Sequence, residues 1–338
     1  MRPALLLTVL VLLGAAAPAS GATFALRIDE ECDRGGCYPV SSPQFLAAPG
    51  EANRVSLALA GDGVLLVEEG ASVAAGDGCR ALDSHSVTCP LGPQVLVLVD
   101  TADGNDSVVS DVEYAALQLG AGDDTFSGQG RVLGQEGADT LTGGATRAIL
   151  NGGPGADVIT GGPSSDLLFG GADADDVRGE AGDDELTGDA DGTPADDRLD
   201  GGPGRDQVSF SERSVPVTVG LSDGLPDGSA GERDQLIDVE GVEGGTASDT
   251  LTGDAGPNTL RASAPQPGAP SRFAAALVRT PSKARSSTTA ARSCPTAASA
   301  SQSTDLSSFC CPSGRAAAPT RSCSPDPRSA APRHAGRH

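Results

Sequence analysis

Residues 134–209 read GQEGADTLT (134–142), GGATRAILN (143–151), GGPGADVIT (152–160), GGPSSDLLF (161–169), GGADADDVR (170–178), GEAGDDELT (179–187), GDADGTPADDRLD (188–200) and GGPGRDQVS (201–209). Each unit opens on Gly, nearly always has Asp at its sixth position, and carries an aliphatic residue at its next-to-last place. The pattern is G-G-x-G-x-D-x-U-x, and it holds register through one stretched unit of thirteen. A fixed short period of this kind is the mark of a stacked repeat. The glycine-rich half of a unit forms a turn, because Gly accepts positive φ and lets carbonyls crowd one point. The last three residues form a short strand whose middle side chain points inward. One unit buries nothing alone, so units must stack and share a core.

The inward row is Leu141, Leu150, Ile159, Leu168, Val177, Leu186, Leu199 and Val208, and packing is its whole role. The Asp row is different. Asp is common in turns for local reasons, but solvated turn residues need no fixed period. A carboxylate set among crowded carbonyls is a hard oxygen donor set, which suits Ca²⁺ with its six to eight oxygen ligands. The candidate metal ligands are Asp124, Asp139, Asp157, Asp166, Asp175, Asp184, Asp197, Asp206 and Asp249. Ala148 stands where another Asp is due, so no full site is expected there. Ser164 replaces the fourth-position Gly of its unit and tolerates a left-handed backbone less well than Asp173 does in the next. The 161–169 turn is therefore expected to be the weaker.

Outward from this block the rhythm fades. Upstream, TADGNDSVV (101–109) and LGAGDDTFS (119–127) keep it, SDVEYAALQ (110–118) keeps little, and GQGRVL (128–133) is a unit shortened to six. Downstream, residues 210–243 interrupt it and read as an inserted hairpin or loop, with strand-like alternation at 215–221. GGTASDTLT (244–252) and GDAGPNTLR (253–261) resume it, the second with Asn258 in the Asp place.

Charge follows the same partition. The formal net charge is −23, with 46 acidic and 23 basic side chains. Residues 101–261 alone carry −25, residues 1–100 carry −6 and residues 262–338 carry +8. A polyanion of that density repels itself and must stay unfolded or recruit cations. Aromatics are 3% and Trp is absent, which argues against an ordinary enzyme core. The catalytic vocabulary is thin as well. The 3 histidines are His85, His334 and His338, and the chain has no HExxH, GxSxG or phosphate-loop motif. No catalytic residue and no enzyme activity are expected.

Residues 1–22 read as a secretory signal peptide, with Arg2, an apolar run over 4–17 and small residues at Ala19 and Ala22. The run is short of the roughly 20 residues a membrane span needs. A soluble, extracellular product is expected. Residues 23–100 read as a small β-rich domain, with strands near 54–60, 64–68, 86–88 and 94–99. Its cysteines are Cys32, Cys37, Cys79 and Cys89. Export makes disulfides the natural state, and Cys32–Cys37 with Cys79–Cys89 is the preferred of three pairings. After Arg261 acid nearly vanishes and Ala, Ser, Pro and Arg dominate. The tail 262–338 reads as disordered, and its abrupt loss of register also motivates a reading in a shifted frame. It lacks the aromatics of a nucleic-acid binder.

The units GGPGADVIT, GGPGRDQVS and GEAGDDELT resemble the hemolysin-type (RTX) calcium-binding nonapeptide repeats, over residues 101–261. The resemblance implies an all-β fold, a parallel β-roll, with Ca²⁺ held between successive turns by the sixth-position Asp and backbone carbonyls. It also implies secretion and calcium ions as the first partner, with extracellular or cell-surface ligands beyond them. Because the family appends such repeats to many proteins, the expected role is structural or adhesive. The alternative is a calcium-stabilised scaffold of a secreted hydrolase or toxin.

Overall fold

An aliphatic residue every nine positions is buried only if alternate units lie on opposite sides of one interior. The computed structural model has that arrangement. It describes residues 21–261 apart from 34–35, 93–95, 190–193 and 222–225, and no side chains within 29–41. The expected leader, apart from its last two residues, and the whole tail 262–338 lie outside the described residues. Among the described residues every regular element is a strand.

Two sheets run through the molecule. One has 12 strands and the other 11. In the repeat block the chain alternates between them, Thr140–Gly143 in one, Ile149–Pro154 in the other, then Val158–Gly162, Leu167–Ala172, Asp176–Glu180 and Glu185–Asp189 in turn. All these neighbours pair in parallel. Ile159 lies between Leu141 and Val177, and Leu168 between Leu150 and Leu186. Each of the eight expected inward residues is 0% exposed. The irregular units are absorbed as changes of turn length. The six-residue unit brings Phe126 opposite Leu141, and the stretched unit brings Val177 opposite Leu199.

The left-handed backbone also falls where the period asks for it, with additions. Gly122, Gly137, Gly155 and Gly182, all at the fourth position, have φ of +141°, +137°, +137° and +144°. A Cβ on Gly155 would stand 1.8 Å from the carbonyl oxygen of Gly137 in the coil before. Asp173 takes the left-handed conformation at +77°, as an Asp can. Ser164 does not, and its hydroxyl instead donates to the Ala145 carbonyl at 2.9 Å. The 161–169 turn is thus as regular in its pairing as its neighbours, contrary to the expectation from Ser164. In several units the second position is left-handed too, even where it is Ala102, Gln135 or Glu180, although Gly144 and Gly162 are not.

Both sheets cross the expected boundary at residue 100 without a break in hydrogen bonding. Gly36–Leu46 pairs in parallel with Val97–Asp100, and Arg54–Ala60 with Ser107–Ser110. The N-terminal part adds antiparallel hairpins to the same sheets. These are Ala22–Asp33 with Gly36–Leu46 and Arg54–Ala60 with Gly63–Glu68, the latter extended by Ser86–Pro90. The disulfide Cys79–Cys89 forms as expected, beside the pairing of Arg80–Ala81 with Ser86–Pro90. The expected Cys32–Cys37 bond concerns side chains outside those described, although the backbone register sets the two residues opposite each other.

Residues 210–243 correct a second expectation, because they are only partly an interruption. Gln235–Ile237 pairs with Arg198–Asp200, and Gly241–Glu243 with Gln207–Ser209. The roll therefore resumes before Gly244. The strand expected at 215–221 is Val217–Gly220, which pairs with Thr250–Thr252 in a separate small sheet.

Candidate metal centres

The turns between the two sheets form two edges, and the Asp residues divide between them as the period requires. On each edge one oxygen of every carboxylate has a structural task. The N–H of Asp106 donates to Oδ1 of Asp124 at 2.7 Å, Asp124 to Asp139 at 2.9 Å, Asp139 to Asp157 at 2.7 Å, Asp157 to Asp175 at 2.8 Å and Asp175 to Asp197 at 3.0 Å. The second edge repeats the motif. Ala148 donates to Asp166, Asp166 to Asp184 and Asp184 to Asp206, at 2.7, 2.8 and 2.8 Å. Ala148 thus keeps its place in the column through its N–H and offers no carboxylate to the turn.

Two carboxylates absent from the expected set complete the columns. Asp197 donates to Oδ1 of Asp234 at 3.0 Å, and Asp206 to Oε2 of Glu240 at 2.9 Å. No Gly-Gly turn precedes either, which hid them. The available signal was the aliphatic residue two places later, Leu236 and Val242, at the spacing that links every other pair. Asp106 heads the first edge, with its Oδ1 accepting the Asn53 N–H at 2.6 Å. Asp249 belongs to neither column. Its Oδ1 accepts the N–H of Val217 at 3.1 Å. Asn258 turns inward on its own loop, where its side chain and Asp254 bond each other.

The other oxygen is left over. Oδ2 of Asp106, Asp124, Asp139, Asp157, Asp166, Asp175, Asp184, Asp206 and Asp249 is buried without a hydrogen-bond partner. These residues are all 5% exposed or less. An unpaired buried carboxylate oxygen is costly, and here the cost recurs coil after coil. The first glycine of each unit faces it. A Cβ on Gly134 would lie 2.0 Å from Oδ2 of Asp139 and 2.6 Å from the Gly152 carbonyl oxygen. One on Gly179 would lie 2.4 Å from Oδ2 of Asp184 and 2.6 Å from the Gly201 carbonyl oxygen. The missing side chain leaves a cradle lined by a carboxylate oxygen and a carbonyl oxygen of the next coil. Among the described residues no three His, Cys, Asp or Glu side chains converge, so backbone carbonyls must supply much of any ion's shell. A donor set of hard oxygens fits Ca²⁺ and does not favour a softer metal.

The electrostatics agree. Burial pushes Asp139, Asp184 and Asp206 up to about 6, Asp124, Asp157 and Asp197 to about 7, and Asp175 and Asp234 to about 8. Neighbouring carboxylates add to the rise, and hydrogen bonds from the backbone oppose it. Burial raises Asp106, Asp166 and Asp249 as well. Without a bound cation these sites hold charge reluctantly.

A parallel roll lined on both edges by carboxylate and carbonyl oxygens defines a calcium-binding β-roll. Four stretches, 131–159, 151–186, 191–209 and 243–264, match the model of the RTX calcium-binding nonapeptide repeat. The chain carries this repeat, which binds Ca²⁺. Proteins with RTX repeats are typically secreted, and the repeat itself is generally structural rather than catalytic. No curated protein matches the chain.

Proposed function

We propose that this is a secreted, non-enzymatic protein whose acidic roll folds outside the cell on binding several calcium ions, in a structural or adhesive role. The ligands would be Oδ2 of Asp124, Asp139, Asp157 and Asp175 on the first edge and of Asp166, Asp184 and Asp206 on the second, with Asp106 at the head of the first edge and Asp249 apart. The observation that carries this is the row of buried, unpartnered Oδ2 atoms, those of Asp139, Asp157, Asp166, Asp175, Asp184 and Asp249 each beside a glycine whose Cβ would fill the space. Export through the leader at 1–22 would deliver the chain to a calcium-rich medium.

Extracellular calcium modules bind with Kd of roughly 10⁻⁴–10⁻³ M. At about 1–2 mM calcium each site then stabilises the fold by about 0.4–1.8 kcal/mol. Several sites together reach the scale of a whole domain's stability, about 5–15 kcal/mol. The repeat block is therefore expected to be largely unfolded at cytoplasmic calcium and to fold cooperatively outside. Far-UV circular dichroism of the full chain across a calcium titration tests this. The expected result is a β-sheet signal that appears with calcium and vanishes with chelator. A signal indifferent to chelator would refute it.

A further inference from the structure

At one turn the acid is already answered from within the chain. Arg213 is 2% exposed, among the largest fully buried side chains. Its Nη1 lies 2.6 Å from Oε1 of Glu232 and its Nη2 3.5 Å from Oδ2 of Asp189. Glu232 and Asp189 are themselves buried. The backbone of Arg213 is fixed from both sides. Its N–H donates to Phe210 at 3.0 Å, and its carbonyl accepts the N–H of Thr246 at 2.9 Å. The guanidinium is thus positioned by the segment that breaks the repeat.

The carboxylate nearest to this arrangement in the column is Asp197, and it differs from the rest. Its Oδ2 is not left over, since it accepts the N–H of Asp189 at 3.1 Å. The Oδ2 of Asp189 in turn accepts from Ala195 at 2.7 Å and faces Arg213. An arginine keeps its charge under all ordinary conditions and presents several donors in a rigid plane, so it can stand permanently where several acids meet.

We propose that Arg213, acting through Asp189 and Glu232, is a resident cation that replaces calcium at the Asp197 turn. The stretched unit 188–200 and the segment 210–232 then have one shared purpose. The first brings in Asp189, the second brings in Arg213 and Glu232, and the Asp197 turn of the first edge is held without an ion. The inference rests on the calcium reading of the other turns and removes Asp197 from the ligand set.

Calcium stoichiometry of the full chain, by isothermal titration calorimetry, and thermal unfolding at limiting calcium test it. Asp175→Asn is expected to bind at least one ion fewer than the unmodified chain, and Asp197→Asn the same number. Arg213→Lys should also leave the number unchanged. Arg213→Gln should gain one ion and lose thermal stability at limiting calcium, with recovery in high calcium. Should Arg213→Gln not fold, the Asp197→Asn comparison decides. Loss of an ion in Asp197→Asn, or no gain in a folded Arg213→Gln, overturns the inference and leaves the calcium reading standing. A wild-type chain that binds no calcium overturns both.

Discussion

The units from 134 to 187 and the region from 188 to 243 answer the same electrostatic demand differently. In the first, every buried Asp spends one oxygen on the coil before it and leaves the other bare. In the second, the turn is longer, the bare oxygen of Asp197 is covered by an N–H, and a buried arginine supplies positive charge. Regular spacing thus goes with dependence on an external ion. At the stretched unit 188–200 the irregular spacing goes with an internal one. The comparison teaches that an interrupted repeat need not be a decayed one.

The largest test of this contrast is pH in the absence of calcium. Folding raises many of these carboxylates from the ordinary value of about 3.9 to about 6–8. The calcium-free fold therefore holds protons more tightly than the unfolded chain. Its stability is greatest below about pH 4 and falls as pH rises through about 6 to 8. In chelator, acidification from pH 8 to pH 5 should restore β-sheet signal, read by far-UV circular dichroism. In saturating calcium the same acidification should weaken the fold, because protons then compete with the ion. A signal in chelator that falls further with acid would contradict the burial of charge described above.

Glycine substitutions sharpen the contrast further. Gly155→Ala places a Cβ 1.8 Å from a carbonyl oxygen at a φ of +137°, whereas Gly231 in the irregular region has φ +107° and open space around it. Gly155→Ala combines backbone strain with overpacking and should cost about 2–6 kcal/mol. Gly231→Ala meets the strain alone, about 1–3 kcal/mol. Denaturant unfolding in saturating calcium compares the two, and equal costs would mean that coil stacking tolerates far more slack than the coordinates allow.

Single carboxylates come next. Asp175→Ala removes the acceptor for the buried N–H of Asp157, about 1–3 kcal/mol, and a proposed ligand besides. Asp175→Asn keeps an acceptor but removes the charge. It should be the more stable of the two at limiting calcium and should respond less to calcium than the unmodified chain. Asp106→Ala, at the head of the column, should weaken calcium binding less than Asp175→Ala, as read by calorimetry. The smallest effect belongs to the half-buried surface pair of Arg178 and Asp176. Arg178→Gln should change stability by less than about 1 kcal/mol and only at low salt, in contrast to any loss of the buried Arg213.

The period made much of this legible. A residue every nine places fixes which side chains point inward, and it assigned Asp124, Asp139, Asp157, Asp175 and Asp197 to one edge and Asp166, Asp184 and Asp206 to the other. What it could not convey was anything carried by long-range pairing. Asp234 follows Asp197 in space but lies 37 residues away in sequence, so no local pattern announced it. Gly36–Leu46 and Arg54–Ala60 continue the two sheets without any glycine rhythm, because a strand needs only a neighbour with free backbone groups. Arg213 looked like one arginine in a polyanion. Its burial depends on where Asp189 and Glu232 come to rest.

The ladder of N–H groups and carboxylates has a direction. In every step the earlier residue donates and the later one accepts, 15 to 22 residues downstream within the repeat block. A coil therefore cannot complete its own edge; its successor must arrive first. A chain threading out of a narrow exit from its N-terminus would always trail one unfinished coil behind it. Its assembly would advance like a ratchet, each click waiting on the next length of chain to be released.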